Sequence, residues 1–219
     1  MKTKQKFHKG NAFTLIELIT VITIIALLFS LVVGGFTYAD RYSKRSKTEV
    51  TIKAVRSGLE NYKEEFGSYP LPQSEDVTIE IANKLYIVGG AACLYQALSG
   101  DGFDQISGAT GRGTSSSDGN LDDYENKNVM LKDMPRELWA TSGDYYYIID
   151  GFGHPIRYVK AAPTAAQTPG AAPPERTTVN VGTYDIWSYS EDEENLTATS
   201  LESIEGSVQE ASRKWIKNW

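Results

Sequence analysis

Hydrophobic positions divide the chain into stretches of different rhythm. From Phe13 to Phe36, FTLIELITVITIIALLFSLVVGGF, apolar residues run almost without interruption, and the only charge is Glu17. A helix of that length spans about 36 Å, against roughly 30 Å for the hydrocarbon core of a bilayer. The run therefore predicts a membrane-crossing helix. Over residues 37–66 the rhythm changes. Apolar side chains recur at Ile52, Val55, Leu59, Tyr62 and Phe66, three and four apart, which is one stripe of an amphipathic helix. Glu49 and Lys53 lie four apart in the favourable order, and Gly67 with Pro70 gives a stop signal. A continuous helix over 13–66 would reach on the order of 80 Å. Gly34 and Gly35 predict a local softening where the apolar run meets the basic cluster Arg41, Lys44, Arg45 and Lys47.

Residues 67–219 read as a globular body. AACLYQALSGDG predicts a short helix with Leu94, Tyr95 and Leu98 inward, Cys93 buried and Gly100 at its end. DYYYIIDGFGHPIRYVK predicts a hairpin of Tyr145–Ile149 and Ile156–Val159, with turn chemistry through Pro155. A further strand is expected in VGTYDIWSYS. Leu201, Ile204, Val208, Ala211 and Trp215 repeat at helical spacing and predict a C-terminal amphipathic helix, with Gly206 inside it. The segments near 107–120 and 161–177 are rich in glycine and serine, or in alanine and proline, and are expected to be mobile loops. The class is α+β: one long helix beside a small antiparallel sheet.

Charge adds direction. Lys2, Lys4, Lys6 and Lys9 precede the apolar run with no acid among them, which keeps the N-terminus cytoplasmic by the positive-inside rule. Without those four lysines the formal charge of −6 becomes about −10, a sign that argues against nucleic acid as a ligand. One cysteine, Cys93, excludes an intrachain disulfide. His154 is the only histidine beyond His8, so no histidine-based metal cluster or triad can be built in the body, and His154 reads as a turn residue. The glycines of GATGRGTSSSDGN lack the strand, helix and lysine-serine pair of a phosphate loop. No serine elbow, cofactor fingerprint or spaced carboxylate pair stands out, and the chain is not expected to be an enzyme.

The basic start, apolar core and TYA at Thr37–Ala39 are compatible with a secretory signal peptide, but the apolar run exceeds the usual 7–15 residues. An uncleaved anchor is the other plain reading. Neither explains Glu17, because an acid at membrane depth is tolerated mainly when it faces a partner.

FTLIEL after a short lysine-rich leader resembles the signal of type IV pilins and type II secretion pseudopilins. In that family a membrane peptidase cuts before the phenylalanine and methylates the new amine. The resemblance implies a leader of residues 1–12, a cut between Ala12 and Phe13, and a filament-core helix over 13–36. Ala12 stands where the family has glycine, which implies slower processing. Glu17 would neutralise the terminal amine of an adjacent subunit; a glutamate snorkelling at the membrane edge is the alternative. Gly34 falls where the family commonly has proline, and a glycine face for close helix contact remains the other reading there. ENYKEEFGSYP, the GFGHPI turn, YDIWSYS and the closing KNW are similar to the major pseudopilins, whereas residues 73–143 carry no resemblance.

The implied fold is the pilin fold. The implied function is a structural subunit of a type II secretion pseudopilus, held in the inner membrane with a periplasmic body and extracted into a filament that drives protein export. Its partners would be copies of itself, other pseudopilins, the prepilin peptidase/methyltransferase, and the inner-membrane platform and ATPase machinery. A type IV pilus subunit or adhesin with the same anchor is the alternative, and a membrane-tethered enzyme a more distant one. Calcium is the one cofactor the resemblance raises, with Asp192 matching its first acidic ligand. The family's glycine-rich turn and later aspartates are missing, and a docked C-terminal helix could fix that loop instead.

Overall fold

The computed structural model describes residues 13–72, 77–103, 112–113, 121, 123, 125–132, 134–143, 145–162 and 177–219. Ala12 and the rest of the leader, and nearly all of the segments 107–120 and 161–177, lie outside the described residues. The chain divides into two compact units, Met1–Tyr42 and Ser43–Trp219.

Helix α1 (Leu15–Phe66) is a single element of 52 residues, and it runs through Gly34 and Gly35 without a break. Every residue from Phe13 to Tyr42 is exposed. In the second unit α1 buries Thr48, Thr51, Ile52, Val55, Gly58, Leu59 and Tyr62. The expected stripe is there, widened by three small residues that hydrophobicity does not flag. Phe66 sits at its edge against Tyr62 and Phe103, with ring centroids 4.7 and 5.1 Å away. Gly67 ends the helix in the left-handed region at φ 75°, its N–H donating to the Lys63 carbonyl at 2.8 Å, a C-cap that only glycine adopts without strain.

Strand β1 (Leu71–Pro72) pairs in parallel with β4 (Arg112–Gly113), and β2 (Thr78–Ile81) forms an antiparallel hairpin with β3 (Lys84–Ile87). Helix α2 (Gly89–Ser99) is buried from Gly89 to Leu98, as a helix apolar all round must be. It ends at Gly100, φ 89°, as its sequence predicts. Strand β5 (Trp139–Ser142) pairs with β6 (Tyr145–Ile148), and β7 (Arg157–Lys160), β8 (Tyr184–Ser188) and β9 (Ile216–Lys217) form an antiparallel sheet with β8 in the middle.

Two expectations are corrected. The predicted hairpin is not a paired one: β6 takes β5 as partner and β7 takes β8, leaving a single bridge between Ile149 and Pro155. Alternation identifies a strand but not its neighbour. The C-terminal stripe is not one helix either. A four-residue helix, α3 (Glu202–Glu205), stops at Gly206, which is extended at φ −109° and ψ −170°. A 3₁₀ turn over Ala211–Lys214 follows, then β9. The glycine ends the helix, and the chain beyond gains ladder hydrogen bonds to β8.

The two faces of β8 are both covered, so all five of its residues are buried. Tyr184 and Ile186 face a core shared with Ile52, Val55 and Leu59 of α1, Leu94 and Leu98 of α2, Ile148, Ile156 and Ile216. Trp187, with Val159 of β7, joins a second core built from Ile79, Tyr86, Val88, Tyr189, Leu196, Val208 and Trp215.

Candidate functional site

The first turn of α1 carries the candidate site. Thr14-Leu-Ile-Glu17 closes as a capping box: the Thr14 N–H and hydroxyl both donate to Glu17 Oε2 at 2.8 Å, and the Glu17 N–H donates to the Thr14 hydroxyl at 3.3 Å. These bonds satisfy donors that a helix start leaves without partners, at the end where the helix dipole favours an anion. All of them use Oε2 or the Thr14 hydroxyl, which leaves Oε1 open. Thr14 was not singled out by its charge or hydropathy, although the T-x-x-E spacing before an apolar run is a readable signal.

Other polar side chains in the run turn back on the helix. Thr20 donates to the Ile16 carbonyl at 2.6 Å, Thr23 to Ile19 at 2.8 Å and Ser30 to Leu27 at 2.8 Å. Backbone and hydroxyl groups are thus paired inside the segment, as a lipid-exposed helix requires. The most apolar 18-residue window has a mean hydropathy of 2.7 and no buried residue, so α1 is long and apolar enough to cross a membrane. Large exposed apolar side chains run from Phe13 to Phe36. A Cβ at Gly34 or Gly35 would meet no atom within 4 Å.

In the body, Asp192 is buried and its carboxylate is fully engaged by protein donors. Oδ1 accepts from the N–H groups of Glu194 and Asn195 at 3.1 and 3.2 Å, and Asn195 Nδ2 reaches both oxygens at 3.0 and 2.9 Å. Trp215 Nε1 donates to Oδ2 at 2.9 Å. Burial pulls this carboxyl up, but the bonds from Trp215, Asn195 and the two backbone N–H groups outweigh it and hold it below the ordinary aspartate value. Calcium needs converging oxygens, and Asp192 is surrounded by N–H groups. Among the described residues no three histidines, cysteines or acids are placed to share a metal. The residues present do not fit the ion.

The turn at Asp150–Gly151 and the side chain of Arg45 tie the C-terminal half of α1 to the rest of the body. Asp150 Oδ1 accepts from the N–H groups of Phe152 and His154 at 2.8 and 2.9 Å, and Oδ2 accepts the Ser188 hydroxyl at 2.5 Å. The Gly151 N–H donates to Thr48 Oγ1 at 2.9 Å. Arg45 Nη1 donates to Ser190 Oγ at 2.9 Å and to the Lys214 carbonyl at 2.8 Å. His154 is a turn residue whose ring stacks on Tyr86 at 5.1 Å. Searches against family models, curated proteins and solved structures found no match to this chain.

Proposed function

We propose that this chain is a non-catalytic structural subunit that polymerises through α1, a pseudopilin of type II secretion. One observation carries the reading: a carboxylate at the start of the otherwise apolar, exposed segment Phe13–Phe36 of the chain, bonded to Thr14 through one oxygen and open at the other. In a membrane the capping box supplies local partners that make the acid tolerable. In a filament the open oxygen would meet the amine of a neighbouring subunit freed by cleavage after Ala12. Packing of the apolar runs would then cover the surface from Phe13 to Phe36. The same reading places the chain in an inner membrane with its body on the periplasmic side, and makes a peptidase, other pseudopilins and an assembly platform its partners.

Two substitutions separate charge from capping. Glu17→Ala is expected to abolish filaments in a crosslinking or shearing assay while leaving membrane insertion and body folding unchanged. Glu17→Gln keeps an acceptor for Thr14 but removes the charge, and it should also fail to assemble. Normal filaments from Glu17→Gln would reduce Glu17 to a helix cap and sink the charge-pairing part of the reading.

A further inference from the structure

Arg157 is 7% exposed, yet among the described residues its Nε and Nη1 have no hydrogen-bond partner. Its register on β7 places it opposite Trp187, and Trp187 is opposite Lys217 on β9, so the three side chains form a row across one face of the sheet. The guanidinium lies 5.3 Å from the Trp187 ring centroid. Trp219 packs edge-on against Trp187 at 5.7 Å, and the Lys217 ammonium lies 5.3 Å from the Trp219 ring. Among the described residues the Nε1 of Trp219 is also buried without a partner, and the Lys217 ammonium donates to the Ser212 hydroxyl at a long 3.4 Å. This strip thus presents N–H donors from a half-buried edge inward to a buried cation.

The acids on or beside this face are held by other donors. Asp185, on the same face of β8 and diagonal to Arg157, accepts from the N–H groups of Val179 and Asn180 and from Asn180 Nδ2. Asp192 is held by Trp215 and Asn195, and Glu202 Oε2 by the N–H and hydroxyl of Thr199 at 2.7 and 3.0 Å. Buried N–H groups of a cation left without an acceptor are destabilising, and native structures pair such groups with protein, water or an ion.

We propose that the Arg157–Trp187–Trp219–Lys217 strip is a binding site for an oxyanion, taken either as a free small anion or as a carboxylate of a second copy of this chain. A planar or tetrahedral oxyanion suits the fork of the guanidinium. The ammonium at the strip's open end would draw it in. The Trp187 ring, its centroid 5.3 Å from the guanidinium, orients the fork by a cation–π interaction.

The test uses the full chain in detergent, titrated with acetate or phosphate in the millimolar range. The readouts are tryptophan fluorescence and thermal unfolding, for wild type, Arg157→Met and Lys217→Met. A free-anion site gives a saturable fluorescence change in wild type and a Tm rise on the order of 5 °C at a hundredfold excess over Kd. Arg157→Met should lose both, and Lys217→Met, at the rim, should weaken affinity about tenfold without unfolding the body. If the acceptor is another copy's carboxylate, the same two substitutions instead reduce self-association measured by sedimentation, and added anion competes with it. A wild type that shows neither a saturable response nor Lys217-dependent self-association overturns the proposal. So does an Arg157→Met protein that responds like wild type.

Discussion

Asp150 and Asp192 are two buried carboxylates with opposite electrostatic signatures. For Asp150 burial dominates and raises its pKa, against lowering contributions from the Ser188 hydroxyl, the His154 N–H and charge, and the Phe152 N–H. A carboxyl raised on folding contributes stability while neutral, below about pH 3.9, and loses it as pH climbs through the folded value. For Asp192 the sign reverses: its contribution is present above about pH 3.9 and is lost as pH falls through the depressed folded value. Urea melts from pH 3 to 7 should therefore show Asp150→Asn removing a falling limb and Asp192→Asn a rising one. Asp150→Ala leaves three donors without their acceptor and is expected to cost about 3 kcal/mol. Trp215→Phe deletes one buried N–H on a carboxylate, for a loss of about 2 kcal/mol. Because N–H donors already occupy the Asp192 carboxylate, calcium and chelator should leave the Tm of wild type unchanged. A calcium-dependent rise would contradict the donor arrangement at Asp192.

Elements meet in this fold at points with no room for a side chain. A Cβ on Gly151 would lie 2.1 Å from the Lys44 carbonyl oxygen of α1, a backbone atom that cannot rotate away. Gly151→Ala is expected to cost about 3 kcal/mol in denaturant unfolding of the body. Gly34 and Gly35 are the opposite case. Alanine at either should stiffen α1 by about 1 kcal/mol, seen as slower amide exchange around residue 34, because no neighbour objects. These contrasts show what a sequence can reveal. The stripe Ile52–Val55–Leu59–Tyr62 was legible because burial there is apolar, whereas Thr48, Thr51 and Gly58 on the same face carry no hydrophobic signal. Tyr145–Ile148 and Arg157–Lys160 were legible as strands, but their partners were not, since pairing depends on loops that periodicity does not encode. β5, with the mixed residues WATS, gave no alternation to read. Glu17 was legible as a charge in the wrong place, and Thr14 only as a spacing. The Arg157 strip was invisible, because nothing local in the sequence states which buried N–H groups are left without an acceptor.

At the scale of the whole chain, the division at Tyr42 and Ser43 separates the unit that carries the exposed apolar segment Phe13–Phe36 from a body with its own cores. A fragment beginning at Ser43 is expected to be water-soluble and cooperative in thermal unfolding, with the full chain needing detergent. Aggregation of that fragment, or a non-cooperative melt, would mean that the body depends on residues before Ser43. All four tryptophans lie in the body, so the fluorescence of both forms reports the same unit. The chain also carries a built-in clock. Its one cysteine, Cys93, is 2% exposed on α2, so a thiol reagent reaches it only when α2 comes away from its neighbours. The labelling rate then measures how often the body opens. Comparing that rate for chains dispersed in a bilayer and chains assembled together would show whether neighbours lend the body kinetic protection, without introducing any foreign probe.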